Sequence, residues 1–219
     1  MTSMKHTIYF VAALLLALVL PMAVDSSHLN MAILVLMAAQ LGVAWNMVGG
    51  YAGQVSLGHA AFVGLGAYTS TLLLIKFGIN TRMGMLSGGC VSALFSLAYC
   101  WSCFRLKGHY FAMATIAVAE LVQIFFTEWE YAGTAVGLYV PMDQQGWLWM
   151  NFATKLPYYW LALGLLLITL AANLWIERSY LGYYFRAIKD EPDAARSVGI
   201  NIARYKQVAL SLSAFFSAL

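Results

Sequence analysis

Glu120 stands near the middle of an apolar run, Tyr110–Phe126, with Gln123 and Thr127 three and seven residues further along the same helical face. A carboxyl group placed there can carry a proton, bind a polar solute or clasp a neighbouring helix, and it costs at least about 2.5 kcal/mol to insert. The transport and architectural roles stand level for Glu120 on the sequence. A second polar group lies in GGYAGQVSLGHAAFVGLGAY, Gly49–Tyr68, where Gln54, Ser56 and His59 follow three glycines. Other chemistries find no residues to use. The histidines at 6, 28, 59 and 109 have no carboxylate or cysteine at ligand spacing on the same helix, so no metal site and no catalytic constellation is expected. No G-x-x-x-x-G-K-[ST] loop occurs, so nucleotide is not expected to bind this chain. Cys100-Trp-Ser-Cys103 has a redox-like spacing, but in an apolar run it reads as a pair of packed thiols.

The elements that must hold these residues follow from composition. Hydrophobic residues make up 62% of the 219 and charged ones 10%, with a mean hydropathy of +0.75, outside the balance of a water-soluble domain. Crossing about 30 Å of hydrocarbon takes roughly 20 apolar residues in a helix. The long runs lack the two-residue alternation of a barrel strand. The reading is an all-α polytopic membrane protein, a single transmembrane domain over residues 1–219. Six full spans are expected near Thr7–Val24, Leu29–Val48, Leu57–Phe77, Gly84–Phe104, Tyr110–Phe126 and Pro157–Ile176. A seventh run from Gln207 to Leu219 is too short to cross and reads as truncated. The first run has the charged start of a signal peptide but no clean small-x-small cleavage site, and is expected to stay as a helix.

Orientation follows from the basic residues. With the N-terminus cytoplasmic, nine of them (Lys5, Arg105, Lys107, Arg178, Arg186, Lys189, Arg196, Arg204, Lys206) fall inside, and Lys76, Arg82 and Lys155 fall outside. The aromatic residues Trp129, Tyr131, Trp147, Trp149, Tyr158, Tyr159 and Trp160 bracket the external loop, as an interfacial belt would.

Ten of the 21 Lys, Arg, Asp and Glu residues lie within 177–206. There Asp190-Glu191-Pro192-Asp193 reads as a helix start with Asp190 as N-cap, Gly199 as a left-handed stop and Asn201 as the cap of the next helix. A short helix, a glycine turn and a second helix make a compact knob suited to docking on a cytoplasmic partner. An ordinary solvated loop is the other reading.

The glycines of 49–53 weaken helix continuity, and non-helical backbone at membrane depth is tolerated only where it is buried in protein or lines a watery cavity. Gly53, Gln54, Ser56, Gly58 and His59 are therefore candidates for a substrate pathway, with Glu120 and Gln123 beside them. A plain cytoplasmic turn is the competing reading of the same glycines. Further along, Ala60, Gly64, Ala67 and Thr71 form a stripe of small side chains expected to let helices approach closely.

Asp193-Ala194-Ala195-Arg196-Ser197-Val198-Gly199 resembles the E-A-A-x-x-x-G signature of ABC-transporter permeases, with Asp for Glu. The wider LGYYFRAIKDEPDAARSVGINIARYK is similar to the cytoplasmic loop of the branched-chain amino acid permease family, LivM branch. GGYAGQVSLGHAAF, LKGHYFAMATIAVAELVQ and GTAVGLYVP resemble further stretches of that family, whose proline closing the E-A-A pattern is missing here. The resemblance implies an importer of branched-chain amino acids, or of a small polar solute such as urea or an amide, in a bacterial inner membrane. It implies two ATP-binding subunits, a second permease and a periplasmic binding protein as partners, with ATP on those subunits and no cofactor or nucleic acid on this chain. It also puts Asp193, Ala194, Ala195 and Gly199, in a coupling loop at 177–206, against the ATPase. Two other classes stand beside it: a channel or ion-coupled carrier using Glu120, and a membrane assembly protein.

Overall fold

The computed structural model describes residue 15 and residues 17–21, 25–103, 108–140 and 146–219, with the side chains of 26 and 100–103 not described. Among these residues the chain is helical, with no strands beyond a single bridge between Gly146 and Asn151. The long elements are α1 (Ser26–Asn46), α2 (His59–Phe77), α3 (Thr81–Cys103), α4 (His109–Glu128) and α5 (Leu156–Arg178). Then come α6 (Tyr180–Asp190), α7 (Pro192–Ser197) and α8 (Ile202–Ala218). Among the described residues, four stretches are long and apolar enough to cross a membrane: Ser27–Tyr51, α2, α4 and α5. The expected first span, Thr7–Val24, lies mostly outside the described residues.

The run read as a short seventh segment is the centre of the bundle. Helix α8 packs against α1, α2 and α3, burying Ala209, Leu210, Ser213, Ala214, Ser217 and Ala218. Small residues make this closeness possible, but not those of the expected stripe. A Cβ on Gly88 of α3 would lie 2.8 Å from the Gly66 carbonyl oxygen of α2, and one on Gly66 would overlap the end of α8. Ala60 and Ala67 are exposed and Gly64 faces open space, so the Ala60–Thr71 stripe points away from the contact. The side of a helix that buries its small residues is fixed by where its neighbours stand, which spacing alone does not record.

The two ends of the bundle differ. At one, Thr81 Oγ1 donates to the Trp149 carbonyl (2.7 Å) and Arg82 Nε to that of Trp147 (2.9 Å), while Lys76 Nζ lies 5.5 Å from the Tyr131 ring centroid. Lys76 and Arg82, the basic residues that run against the inside-positive pattern, thus tie the α4–α5 connection to the ends of α2 and α3. Tyr159, expected in the aromatic belt, is instead core: it is buried beside Leu29 and Leu163 and donates to the Ala17 carbonyl (2.6 Å). Cys90 is exposed and free; the side chains of Cys100 and Cys103 lie outside the described residues.

At the other end α5 stops at Arg178 and the chain turns into α6, whose apolar face (Phe185, Ile188) is buried. Phe185 packs with Met47, Ala52, Ile176 and Ala209. Helix α7 begins after Glu191, with Pro192 in its first turn and Asp193 at its positive end. Asp190, expected to cap it, is the last residue of α6, because Glu191 takes the extended conformation that separates the two helices. Gly199 adopts a left-handed φ of 86°, and the Asn201 side chain accepts from the Arg204 amide (3.1 Å) to start α8, both as the sequence predicts.

Candidate functional site

The glycine-dense segment is a break in the helical path. Helix α1 loosens into a π-helical turn over Met47–Tyr51, and residues 53–58 are non-helical before α2 begins at His59. Gly53 takes φ 66°, a left-handed value that a glycine accepts without strain. The lower end of the break sits beside α6, where Lys189 Nζ donates to the Gly50 carbonyl (2.8 Å). Its upper end lies beside Ala44, six residues earlier on α1, or about 9 Å higher at 1.5 Å per residue. The chain therefore turns at the polar end and climbs back into the bundle without a helix. A turn at the end is followed by a non-helical stretch that buries Ser56 and Gly58 and leaves Gly53, Val55 and Leu57 exposed.

Each backbone group of the break has to find a partner inside. Trp45 Nε1 donates to the Ser56 carbonyl (2.6 Å), the Leu57 amide to Thr115 Oγ1 on α4 (2.9 Å), and the Gln54 amide to the Val48 carbonyl (3.0 Å). Gly58 is pressed against α4, and a Cβ there would overlap the Thr115 carbonyl oxygen. His59 is 6% exposed, and its Nε2 lies 2.7 Å from Ser213 Oγ, which donates to the Ala44 carbonyl at 2.7 Å. With the serine proton given to Ala44, the imidazole donates through Nε2 and Nδ1 is left as an acceptor. Nδ1 and the Ser56 hydroxyl, 2% exposed, are buried without a hydrogen-bond partner. Unused polar capacity of this kind is rare in an interior.

The other candidates lie elsewhere. Glu120 and Gln123 are exposed on α4, which buries only Phe111, Thr115 and Phe126. Both are exposed, away from the buried face of their helix. A cavity of about 340 Å³ opens between α1, α2, α5 and the end of α8, with Gln40, Ser70 and Ser217 among its lining. None of the sequence-named pathway residues lines it. In the 177–206 stretch, Asp193, Ala194 and Gly199 are exposed while Ala195 is 4% exposed and anchors α7 to its neighbours. Val198, 75% exposed, extends the outward apolar surface of this knob.

Sequence reasoning missed Ser213, Thr115, Lys189 and Asn173. Asn173 donates to the Val43 carbonyl (2.9 Å) and accepts from Asn46 (3.3 Å), tying α5 to α1 at the start of the break. A signal was present for one of them: Ser211, Ser213 and Ser217 recur in the last apolar run, and hydroxyls in a membrane helix hydrogen-bond to neighbours.

The sequence of the chain has relatives among known proteins. Residues 26–219 match the family model described as branched-chain amino acid transport system, permease component. The chain belongs to that permease family. Over 239 aligned positions it is 27% identical to the high-affinity branched-chain amino acid transport system permease protein LivM of Escherichia coli. It is 26% identical to the protein of the same name in Salmonella typhimurium, and each match covers 99% of this permease and 56% of the relative. The permease thus spans about half the length of the curated relatives it matches. No solved structure matches it.

Proposed function

We propose that this chain is the membrane permease subunit of an ATP-driven ABC importer for branched-chain amino acids or a similar small polar solute such as urea or an amide. The observation that carries the reading is α7. It is a short helix with Asp193 and Ala194 exposed, held from behind by Ala195 and joined through Gly199 and a capped Asn201 to the central helix of the bundle. Such a knob fits a groove on a cytoplasmic motor, and its stiff continuation suits the transfer of motion. Two ATP-binding subunits bind and hydrolyse the nucleotide, and Asp193, Ala194, Ala195 and Gly199 form the contact with them. A second permease subunit and a periplasmic binding protein complete the assembly, and this chain holds no cofactor.

The chain crosses the bacterial inner membrane six times with its N-terminus cytoplasmic, and α8 is a shorter seventh helix packed within the bundle. Gly53, Gln54, Ser56, Gly58 and His59 form the part of the pathway that opens, supported by the spare hydrogen-bonding capacity of Ser56 and His59 in the closed arrangement. Glu120 and Gln123, exposed near the middle of α4, face the second permease across the remainder of the path. An acid at that depth needs water or a polar neighbour.

The test is uptake of labelled leucine by proteoliposomes holding the full-length chain and its partner subunits. Uptake is expected to require internal ATP and to survive collapse of the proton gradient; ATP-independent, gradient-driven uptake overturns the proposal. Asp193→Arg is expected to reduce co-purification of the ATPase by about tenfold or more, since a misplaced charge costs several kcal/mol at an interface, with its membrane level unchanged.

A further inference from the structure

The two helices that flank α7 in sequence hold the two ends of the helix break. Before α7, Lys189 of α6 donates to the Gly50 carbonyl at 2.8 Å, and its side chain lies across Gly53. After α7, Ser213 of α8 bonds at once to His59, the first residue of α2, and to the Ala44 carbonyl of α1, each at 2.7 Å. We infer that Lys189 and Ser213 are positioning residues that transmit displacement of α7 to the 47–58 break, Lys189 drawing on its lower end and Ser213 on its upper.

This rests on the importer reading above and names the residues through which its motor acts on the path. A knob that tilts as a rigid piece moves α6 and α8 together, and each carries a described polar tether to an end of the break, Lys189 to Gly50 and Ser213 to the flanking Ala44 and His59. The lower tether is exposed and ends on a backbone carbonyl, so it can slide. The upper one is buried and bridges α1 and α2, so it separates them only if the serine gives up one partner. Ser211 makes a useful contrast. It lies two residues from Ser213 on the same helix, yet it bonds to Ser96 of α3 (2.9 Å), away from the break.

The experiment is the number of leucine molecules carried per ATP hydrolysed by the full transporter in proteoliposomes, for wild type, Lys189→Met, Lys189→Arg, Ser213→Ala and Ser96→Ala. Lys189→Met and Ser213→Ala are expected to lower that ratio about threefold or more, within the range by which single residues modulate coupling. ATPase activity should be retained and assembly unchanged. Lys189→Arg restores the ratio, and Ser96→Ala leaves it at the wild-type value. If Ser213→Ala fails to assemble, Lys189→Met, at an exposed position, decides the matter alone. Uptake and hydrolysis falling in equal proportion, or neither changing, overturns the inference while leaving the importer reading intact. A wild-type complex whose uptake ignores ATP overturns the importer reading itself.

Discussion

Gly58 and His59 show what a single position must satisfy in the break. The backbone of residue 58 touches the Thr115 carbonyl, and the next side chain is committed to Ser213. Gly58→Ala is expected to destabilise the chain by about 1–3 kcal/mol, the usual cost of overpacking against an unyielding backbone. Gly64→Ala, into open space, is expected to be neutral, and thermal unfolding in detergent checks both. For Glu120, replacement by Gln is expected to change leucine uptake more than protein abundance; equal loss of both assigns it a packing role. The polar residues of the break could be read from the sequence because glycines and side-chain donors interrupt an apolar run. Their partners could not, since Thr115 and Ser213 lie more than fifty positions downstream and only the folded chain brings them near.

Among the elements, the short helices of the charged hinge were the most legible, because their stops and starts are local chemistry. Gly199 and Asn201 act where their backbone and side-chain preferences put them. Asn201→Ala is expected to cost about 1 kcal/mol through the lost cap, measured as a lower unfolding midpoint, with Asn201→Ser recovering most of it. The one-residue error at Asp190 has the same origin: Asp and Glu stand side by side before Pro192, and the extended backbone at Glu191 decided between them. Helix faces were harder to read. The Ala60–Thr71 stripe and the Gly66–Gly88 contact look alike in sequence, and only the place of α8 separates them. Length alone did not show the place of α8, a 17-residue helix that packs on α1, α2 and α3 through its serines and small residues.

At the scale of the molecule, polar groups collect at two opposite ends. The α4–α5 connection is tied to Thr81 and Arg82 at one, and α6 and α7 lie at the other. In a cysteine-free background, a thiol introduced by Asp193→Cys is expected to react with an impermeant reagent only from the cytoplasmic side. Tyr131→Cys is expected to react only from outside, and the reverse pattern would invert the proposed topology. The two-ended plan was visible in the sequence as a cluster of charge and a cluster of tryptophan. Lys76 and Arg82, which blurred that plan, lie at the tryptophan-rich end, where they contact Tyr131 and the Trp147 carbonyl.

Helix α4 is fastened near its extremities, by Phe111 and Thr115 towards one end and Phe126, stacked on Tyr68 at 4.2 Å, towards the other. In its middle Val118 packs on the core while Glu120 faces outward. A newly inserted copy without company therefore holds an acidic group against hydrocarbon until a neighbour reaches it. If the proposed second permease covers that beam, the interval between synthesis and assembly is the protein's most fragile period, and its abundance in the cell is expected to follow the supply of that partner.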